Sequence, residues 1–242
     1  MEKYTLITGA SSGMGALCSK QFSTSRRLIM ASENLEMLKD VLNRCANPEQ
    51  HILWHCNFAT ERENIAQSLS DLLKQNDAVV DEYVHFAGLT KLTPLKTTNI
   101  ATIDLIFNVN LFSIFEITKV LLKKSNQKAL EKVVLISALV SMRGNTGNAV
   151  YSASKGAINA LTYTMSRELA PDVRVNALMP GAIETPMTSN LNEEYVAEMT
   201  RDTPLGWGKP QDVVDYVEFL LSDKAKWITG QTLFVDGGRS TK

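Results

Sequence analysis

A chain of 242 residues, 44% hydrophobic and 21% charged, has an ordinary globular balance. It is long enough to hide roughly 70–75% of its unfolded surface. With 25 basic against 26 acidic residues the formal net charge is −1, which gives no basic excess for nucleic acid and no like-charge tail. Cys18, Cys45 and Cys56 are too few for a disulfide framework and lack metal-ligand spacing, so buried thiols and no metal are expected. Met1-Glu2-Lys3-Tyr4 runs straight into a strand pattern, with no signal peptide and no apolar run that reads as a membrane span. The expectation is a cytoplasmic protein with neither a nucleic-acid nor a membrane partner.

In chain order, strands are predicted at Tyr4–Thr8, Leu28–Ala31, His51–Asn57, Tyr83–Phe86, Val133–Ser137, Val173–Leu178 and Thr232–Val235. Helix-length stretches lie between them, among them Asn34–Ala46, Glu61–Asn76, Thr102–Lys124 and Ala149–Ala170. This alternation predicts a three-layer, doubly wound α/β fold of the Rossmann type, with a parallel sheet of about seven strands. Val133-Val134-Leu135-Ile136 and Leu28-Ile29-Met30 are continuously apolar, as strands covered on both faces must be. No linker or repeat divides residues 1–242, which read as one domain carrying its own substrate site. Sheets of this kind bind ligands beyond the carboxyl ends of their strands.

The first strand runs into Thr8-Gly9-Ala10-Ser11-Ser12-Gly13-Met14-Gly15 and then a helix. Glycines allow a sharp turn and let a pyrophosphate approach the backbone, while the N–H groups of the helix start face the phosphates. The spacing is G-x-x-x-G-x-G; by itself a tight turn explains it equally, and its place after the first strand favours a nucleotide. Cofactor choice is read at the end of the second strand, at Ser32 and Glu33, together with Ser12. None is basic, and Glu33 would repel a 2′-phosphate, so the reading is NAD or NADP with a lean to NAD. Arg26 or Arg27, reaching round, would readmit NADP. Asn57, followed by Phe58, either accepts from an adenine amino group or simply makes a turn. Ser25-Arg26-Arg27 stands where a glycine would end the first helix, which predicts a looser corner.

Tyr151-Ser152-Ala153-Ser154-Lys155 opens a strong helical pattern. Residues four apart share a helix face, so Tyr151 and Lys155 point the same way. A phenol with a pKa of about 10 is a poor base at neutral pH, and a neighbouring ammonium favours its ionised form. Lowering it by about 3 units takes roughly 4 kcal/mol.

Thr8–Gly15 with Tyr151–Lys155 resembles the short-chain dehydrogenase/reductase family, and the likeness spans nearly the whole chain. Phe86-Ala87-Gly88 is similar to the N-A-G turn after the fourth strand, and Asn108-Val109-Asn110 to the helix segment bearing an active-site asparagine. Pro180-Gly181-Ala182-Ile183-Glu184-Thr185 is similar to the turn at the nicotinamide end. Gly208–Val213 and Thr229–Gly238 are similar to the C-terminal signatures. The resemblance implies an NAD(P)-dependent oxidoreductase interconverting a carbonyl and an alcohol on a small-molecule substrate. Tyr151 would move the proton, Lys155 would hold the ribose and depress the tyrosine pKa, and Asn110 would anchor a relay water. Ala87, Gly88, Pro180, Gly181, Ile183 and Thr185 would line the cofactor. A 3-oxoacyl thioester is a substrate guess at family level; steroid-like, polyol and sugar substrates stay open. A homodimer or homotetramer is implied too, compatible with the apolar content of Ile103–Leu122 and Ala157–Leu169.

The chain departs from the pattern where the family has a serine, thirteen residues before the tyrosine; here it is Ala138. Three readings stand: Tyr151 suffices; Ser141, Asn145 or a substrate group replaces the donor; or the chain binds a dinucleotide with weak or no catalysis. Ser137 should face away unless its strand has already ended. His85-Phe86 replaces asparagines: His85 reads as packed, solvent-facing or proton-active, and Phe86 as reshaping the pocket floor. Residues 187–203, with Leu191, Tyr195, Val196 and Met199 at helical spacing, read as a short substrate flap or an ordinary surface helix. Lys123, Lys124, Lys128 and Lys132 read as a docking face for an acidic carrier or as a solvated helix surface.

Overall fold

A computed structural model describes residues 1–189 and 193–241; Leu191 lies outside them. Seven strands, β1 (Glu2–Thr8), β2 (Leu28–Ser32), β3 (Ile52–His55), β4 (Ala78–His85), β5 (Lys132–Ile136), β6 (Arg174–Pro180) and β7 (Thr232–Val235), form one sheet in the order β3-β2-β1-β4-β5-β6-β7. Every pairing is parallel. The helices are α1 (Gly13–Phe22), α2 (Leu35–Leu42), α3 (Ile65–Gln75), α4 (Ile100–Phe107), α5 (Ser113–Leu121), α6 (Val140–Arg143), α7 (Ala149–Glu168), α8 (Glu193–Arg201) and α9 (Pro210–Leu221).

The unbroken apolar strands are explained by two separate cores. Leu6, Ile29, Tyr83, Val133, Leu135 and Val175 face α3, α5 and α7; their neighbours Ile7, Leu28, Met30, Val84, Val134 and Leu178 face α1, α2 and α9. Each fully buried Leu or Ile contributes about 1.5–3 kcal/mol, so a polar residue on either face would be costly. β4 starts earlier than its sequence pattern suggests, because Asp81 and Glu82 interrupt the apolar run. Glu82 is buried but held by Thr5 Oγ1 at 2.9 Å, Arg26 Nε at 2.9 Å and Lys132 Nζ at 3.2 Å. That same Arg26 lies 4.3 Å over the Phe22 ring. The corner without a glycine is therefore pinned by charge rather than loosened.

One helical stretch, Ile100–Leu121, is long and apolar enough by composition to cross a membrane. The sequence reading of no such run is corrected here. Its buried side, Ile106, Ile114, Ile117, Val120 and Leu121, packs into the domain core, and a π-helical turn at Asn108–Phe112 interrupts it. Arg27 pairs with Glu2 at the amino ends of the strands, as Arg26 does with Glu82. Lys132 opens β5 at that same end. Neither arginine can reach a ligand at the carboxyl ends, and Lys132 lies at the opposite end of the sheet from the crevice.

Candidate active site

Strand order reverses between β1 and β4, and their carboxyl ends open onto a cavity of about 300 Å³. Gly9, Ser11, Ser12, Gly13, Met14, Gly15, Ser32, Glu33, Asn57, Phe58, Ala87, Gly88 and Thr185 all line it, together with Cys56, Ala59 and Leu89. The loop after β1 leaves no room for side chains. Gly9 has φ +66°, and a Cβ there would lie 2.8 Å from the Ala87 nitrogen. A Cβ on Gly15 would lie 2.2 Å from the Gly9 carbonyl oxygen. Ser12 caps α1 in extended conformation without a side-chain cap bond, and the first turn of α1 has no acid. Its helix start is free to meet an anion.

Ser32 Oγ donates to Ser11 Oγ at 2.7 Å, which fixes the wall beside Glu33. Among the described residues, no basic side chain lines this compartment. Asn57 Oδ1 accepts from Ala59 N at 2.9 Å, so the turn-making role is realised; β3 itself ends at His55.

A second cavity of about 570 Å³ adjoins the first through shared Met14, Phe86, Gly88, Thr185 and Met187. Its walls hold Tyr151, Lys155, Ala138, Pro180, Gly181 and Ile183, as expected, and also Arg143, Asn148 and Arg239. Phe86 lines both chambers and stands where they meet. Tyr151 and Lys155 leave the first turns of α7 on one face, with the ammonium 5.7 Å from the ring centre. Lys155, 3% exposed, donates from Nζ to the Ile136 carbonyl at 2.7 Å. Burial pushes the Tyr151 phenol up to about 12 and the Lys155 amine down to about 7. The expected acidified phenol is therefore absent in the cofactor-free pair: desolvation disfavours both charges. A full charge some 6 Å away is worth about 3 kcal/mol at an effective dielectric of ~20, roughly two pKa units, less than burial and neutral-pH ionisation together demand.

Asn110 is fully buried and lines neither cavity. Its Nδ2 donates to Leu89 O (3.0 Å) and Ser154 Oγ (2.9 Å), and its Oδ1 accepts from Leu89 N (2.7 Å). The π-helical turn swings it into that position. The side chain thus ties α7 to the loop after β4; both amide hydrogens are committed and neither is left for a relay water.

β5 ends at Ile136, so Ser137 follows the strand, and its hydroxyl donates to Lys155 O at 2.9 Å. Ser141 does not turn inward. It lies on α6, donates to Met179 Sδ and accepts from Asn159 Nδ2 at 2.9 Å. His85 is packed, with Nδ1 2.9 Å from Thr8 Oγ1 and 2.7 Å from Tyr83 OH. Burial, with the Lys155 charge beside it, lowers its pKa to about 3, so it is neutral and not proton-active at ordinary pH. Asn148 carried no motif; its signal, a polar residue one turn before Tyr151, becomes legible only in the cavity wall.

A family model described as enoyl-(acyl carrier protein) reductase matches residues 9–240. The chain is 35% identical to the 3-oxoacyl-[acyl-carrier-protein] reductase FabG of Rickettsia prowazekii, over 98% of this chain and 96% of that one. Among solved structures it superposes on 4-hydroxyisoleucine dehydrogenase complexed with NADH with a TM-score of 0.91, at 28% identity over the whole of both chains. It superposes on the 3-ketoacyl-(acyl-carrier-protein) reductase of Brucella melitensis complexed with NADH with a TM-score of 0.87, at 27% identity over 98% of each. With its parallel seven-stranded sheet, glycine-rich loop after β1 and paired Tyr151 and Lys155, the chain belongs to the short-chain dehydrogenase/reductase family, as an NAD(P)-dependent oxidoreductase acting on CH–OH and C=O groups of small molecules.

Proposed function

We propose that the chain reversibly reduces the keto group of a 3-oxoacyl thioester, with NAD as cofactor, Tyr151 as proton donor and Lys155 and Asn110 as its positioning residues. The carrying observation is Tyr151 beside Lys155 in the wall of the larger cavity, where that cavity meets the glycine-lined one at Gly88 and Thr185. Gly9, Ser11, Ser12, Gly13, Met14 and Gly15 would hold the phosphates. Ser32, Glu33, Asn57 and Phe58 would line the adenosine, and Ala87, Gly88, Pro180, Gly181, Ile183 and Thr185 the nicotinamide end. When bound, the dinucleotide supplies or accepts the hydride.

A neutral phenol suits reduction, because Tyr151 then hands its proton to the substrate oxygen. Lys155, poised near neutrality, holds positive charge beside the phenolate left behind. Arg143 and Arg239 line the larger cavity and favour a substrate with an anionic arm at its mouth. Met187, Met199 and Asp202 line it as well, which supports a covering role for residues 187–203. Exposed Ile100, Phe115 and Leu122 on and beside α4 and α5 support pairing of copies through those helices. We propose on these grounds a homodimer or homotetramer, working in the cytoplasm.

NADH oxidation is measured with acetoacetyl-N-acetylcysteamine as substrate. Turnover should appear, and Tyr151→Phe should lower kcat by at least about 10²-fold with NADH binding intact. Turnover that survives this change would overturn the assignment of Tyr151.

Cofactor choice is tested separately by fluorescence titration. Glu33 and the lack of lining cations predict NADH binding at least about tenfold tighter than NADPH, equivalent to about 1.4 kcal/mol. Glu33→Ala should narrow the gap. Equal affinities in the parent would refute the preference for NAD.

A further inference from the structure

We propose that Asn148 donates the hydrogen bond to the substrate oxygen that the family's serine, here Ala138, would otherwise supply. The inference rests on the reading above and names the missing donor of that site. The hydroxyls nearest in sequence are committed elsewhere. Ser137 Oγ donates to Lys155 O, Ser141 Oγ is engaged with Met179 and Asn159, and Thr188 Oγ1 bonds to Ile183 O and Thr185 O. Arg143 Nη1 is held by Arg239 O at 2.6 Å. Asn145 lines the cavity and has a partner of its own.

Asn148 differs from all of these. It is 7% exposed, lines the same cavity as Ala138 and Tyr151, and its Oδ1 is buried without a partner among the described residues. It stands at the N-cap of α7 yet makes no side-chain cap bond. Its backbone alone secures that helix start: its N–H donates to Asn145 O at 3.1 Å and its carbonyl accepts from Ser152 N at 2.7 Å. Its Oδ1 is thus buried without a hydrogen-bond partner among the described residues, an arrangement that calls for completion by a ligand or water. One helical turn separates it from Tyr151, and side chains three apart share a face. Its terminal amide turns about a soft torsion. In one orientation it donates Nδ2–H to a carbonyl oxygen during reduction; in the other it accepts from the alcohol during oxidation. No bond forms or breaks at Asn148; it stabilises the oxygen while Tyr151 moves the proton.

The experiment is a double-mutant cycle between positions 148 and 138, with acetoacetyl-N-acetylcysteamine and NADH. Asn148→Ala should lower kcat by about 10²-fold, the scale of losing one such donor, and leave the NADH dissociation constant unchanged. Asn148→Asp removes the donor but remains a good N-cap residue, so it should fold normally and show a comparable loss. In an Ala138→Ser background the loss on Asn148→Ala should shrink to a few-fold, because the restored hydroxyl takes over. A helix-start role would give the same loss in both backgrounds, and that result overturns the proposal. So does turnover within about threefold of the parent for both Asn148 variants. If Tyr151→Phe leaves turnover intact, or the parent shows none, the functional reading itself falls and this inference with it. Inactive Tyr151→Phe beside undamaged Asn148 variants removes Asn148 alone.

Discussion

Lys155→Met should abolish most activity, lowering kcat by about 10²–10⁴-fold, and should also change how stability depends on pH. Both effects have one cause: an amine buried at 3% exposure, bonded to the Ile136 carbonyl and beside the half-buried Tyr151 ring. Its pKa falls from 10.5 to about 7 in the folded chain. The unfolded chain keeps the proton up to about 10.5. Between those values the unfolded state binds more protons, so stability must rise with pH from about 7 to about 10.5. Below 7 the full penalty for charging the buried amine applies, of the order of 5 kcal/mol. Urea melts of the cofactor-free protein at pH 7 and pH 9.5 check this. The parent should gain about 3 kcal/mol relative to Lys155→Met across that interval. A difference between the two that is independent of pH would show that the amine is not held near neutrality.

Gly15→Ala should eliminate dinucleotide binding and weaken the fold. The added methyl would sit 2.2 Å from the Gly9 carbonyl oxygen, a backbone atom that cannot turn aside as a side chain would. Gly9 cannot yield either, since its own Cα faces the Ala87 and Phe86 backbone. Relief requires the whole loop between β1 and α1 to move off β4. The expected cost is about 3 kcal/mol or more, which for a chain of this size lowers Tm by roughly 6–12 °C. NADH affinity should fall more than about 100-fold, because the N–H groups proposed to hold the phosphates move with the loop. Calorimetry and fluorescence titration read the two effects independently. An unaltered affinity would mean that the phosphates lie elsewhere.

Most strands were legible because strands buried on both faces are continuously apolar, as in Leu28–Met30 and Val133–Ile136. β4 was only half legible: Asp81 and Glu82 look like a break until Thr5, Arg26 and Lys132 are seen around Glu82. The helix over residues 100–121 was legible in extent. Its π-helical turn was not, since that turn answers to Leu89 and Ser154 across the fold. Many residues facing the two cavities, among them Gly9, Gly15, Tyr151 and Thr185, were found by motif order, while Leu89, Arg143, Asn148 and Arg239 carried no motif. The fate of each hydroxyl near Ala138 was not, because a serine's orientation is set by partners remote in sequence.

By itself the sequence determined the layered α/β plan, the glycine loop and the shared face of Tyr151 and Lys155. Each is a local matter of periodicity, backbone freedom and helical spacing. Only the tertiary structure decided which charges survive burial: a phenol pushed up to about 12, an amine down to about 7, and a histidine down to about 3. It also decided that Asn110 binds protein while Asn148 is left facing the cavity. Desolvation and hydrogen-bond partnership depend on everything that surrounds a group, and those surroundings exist only once distant segments have packed.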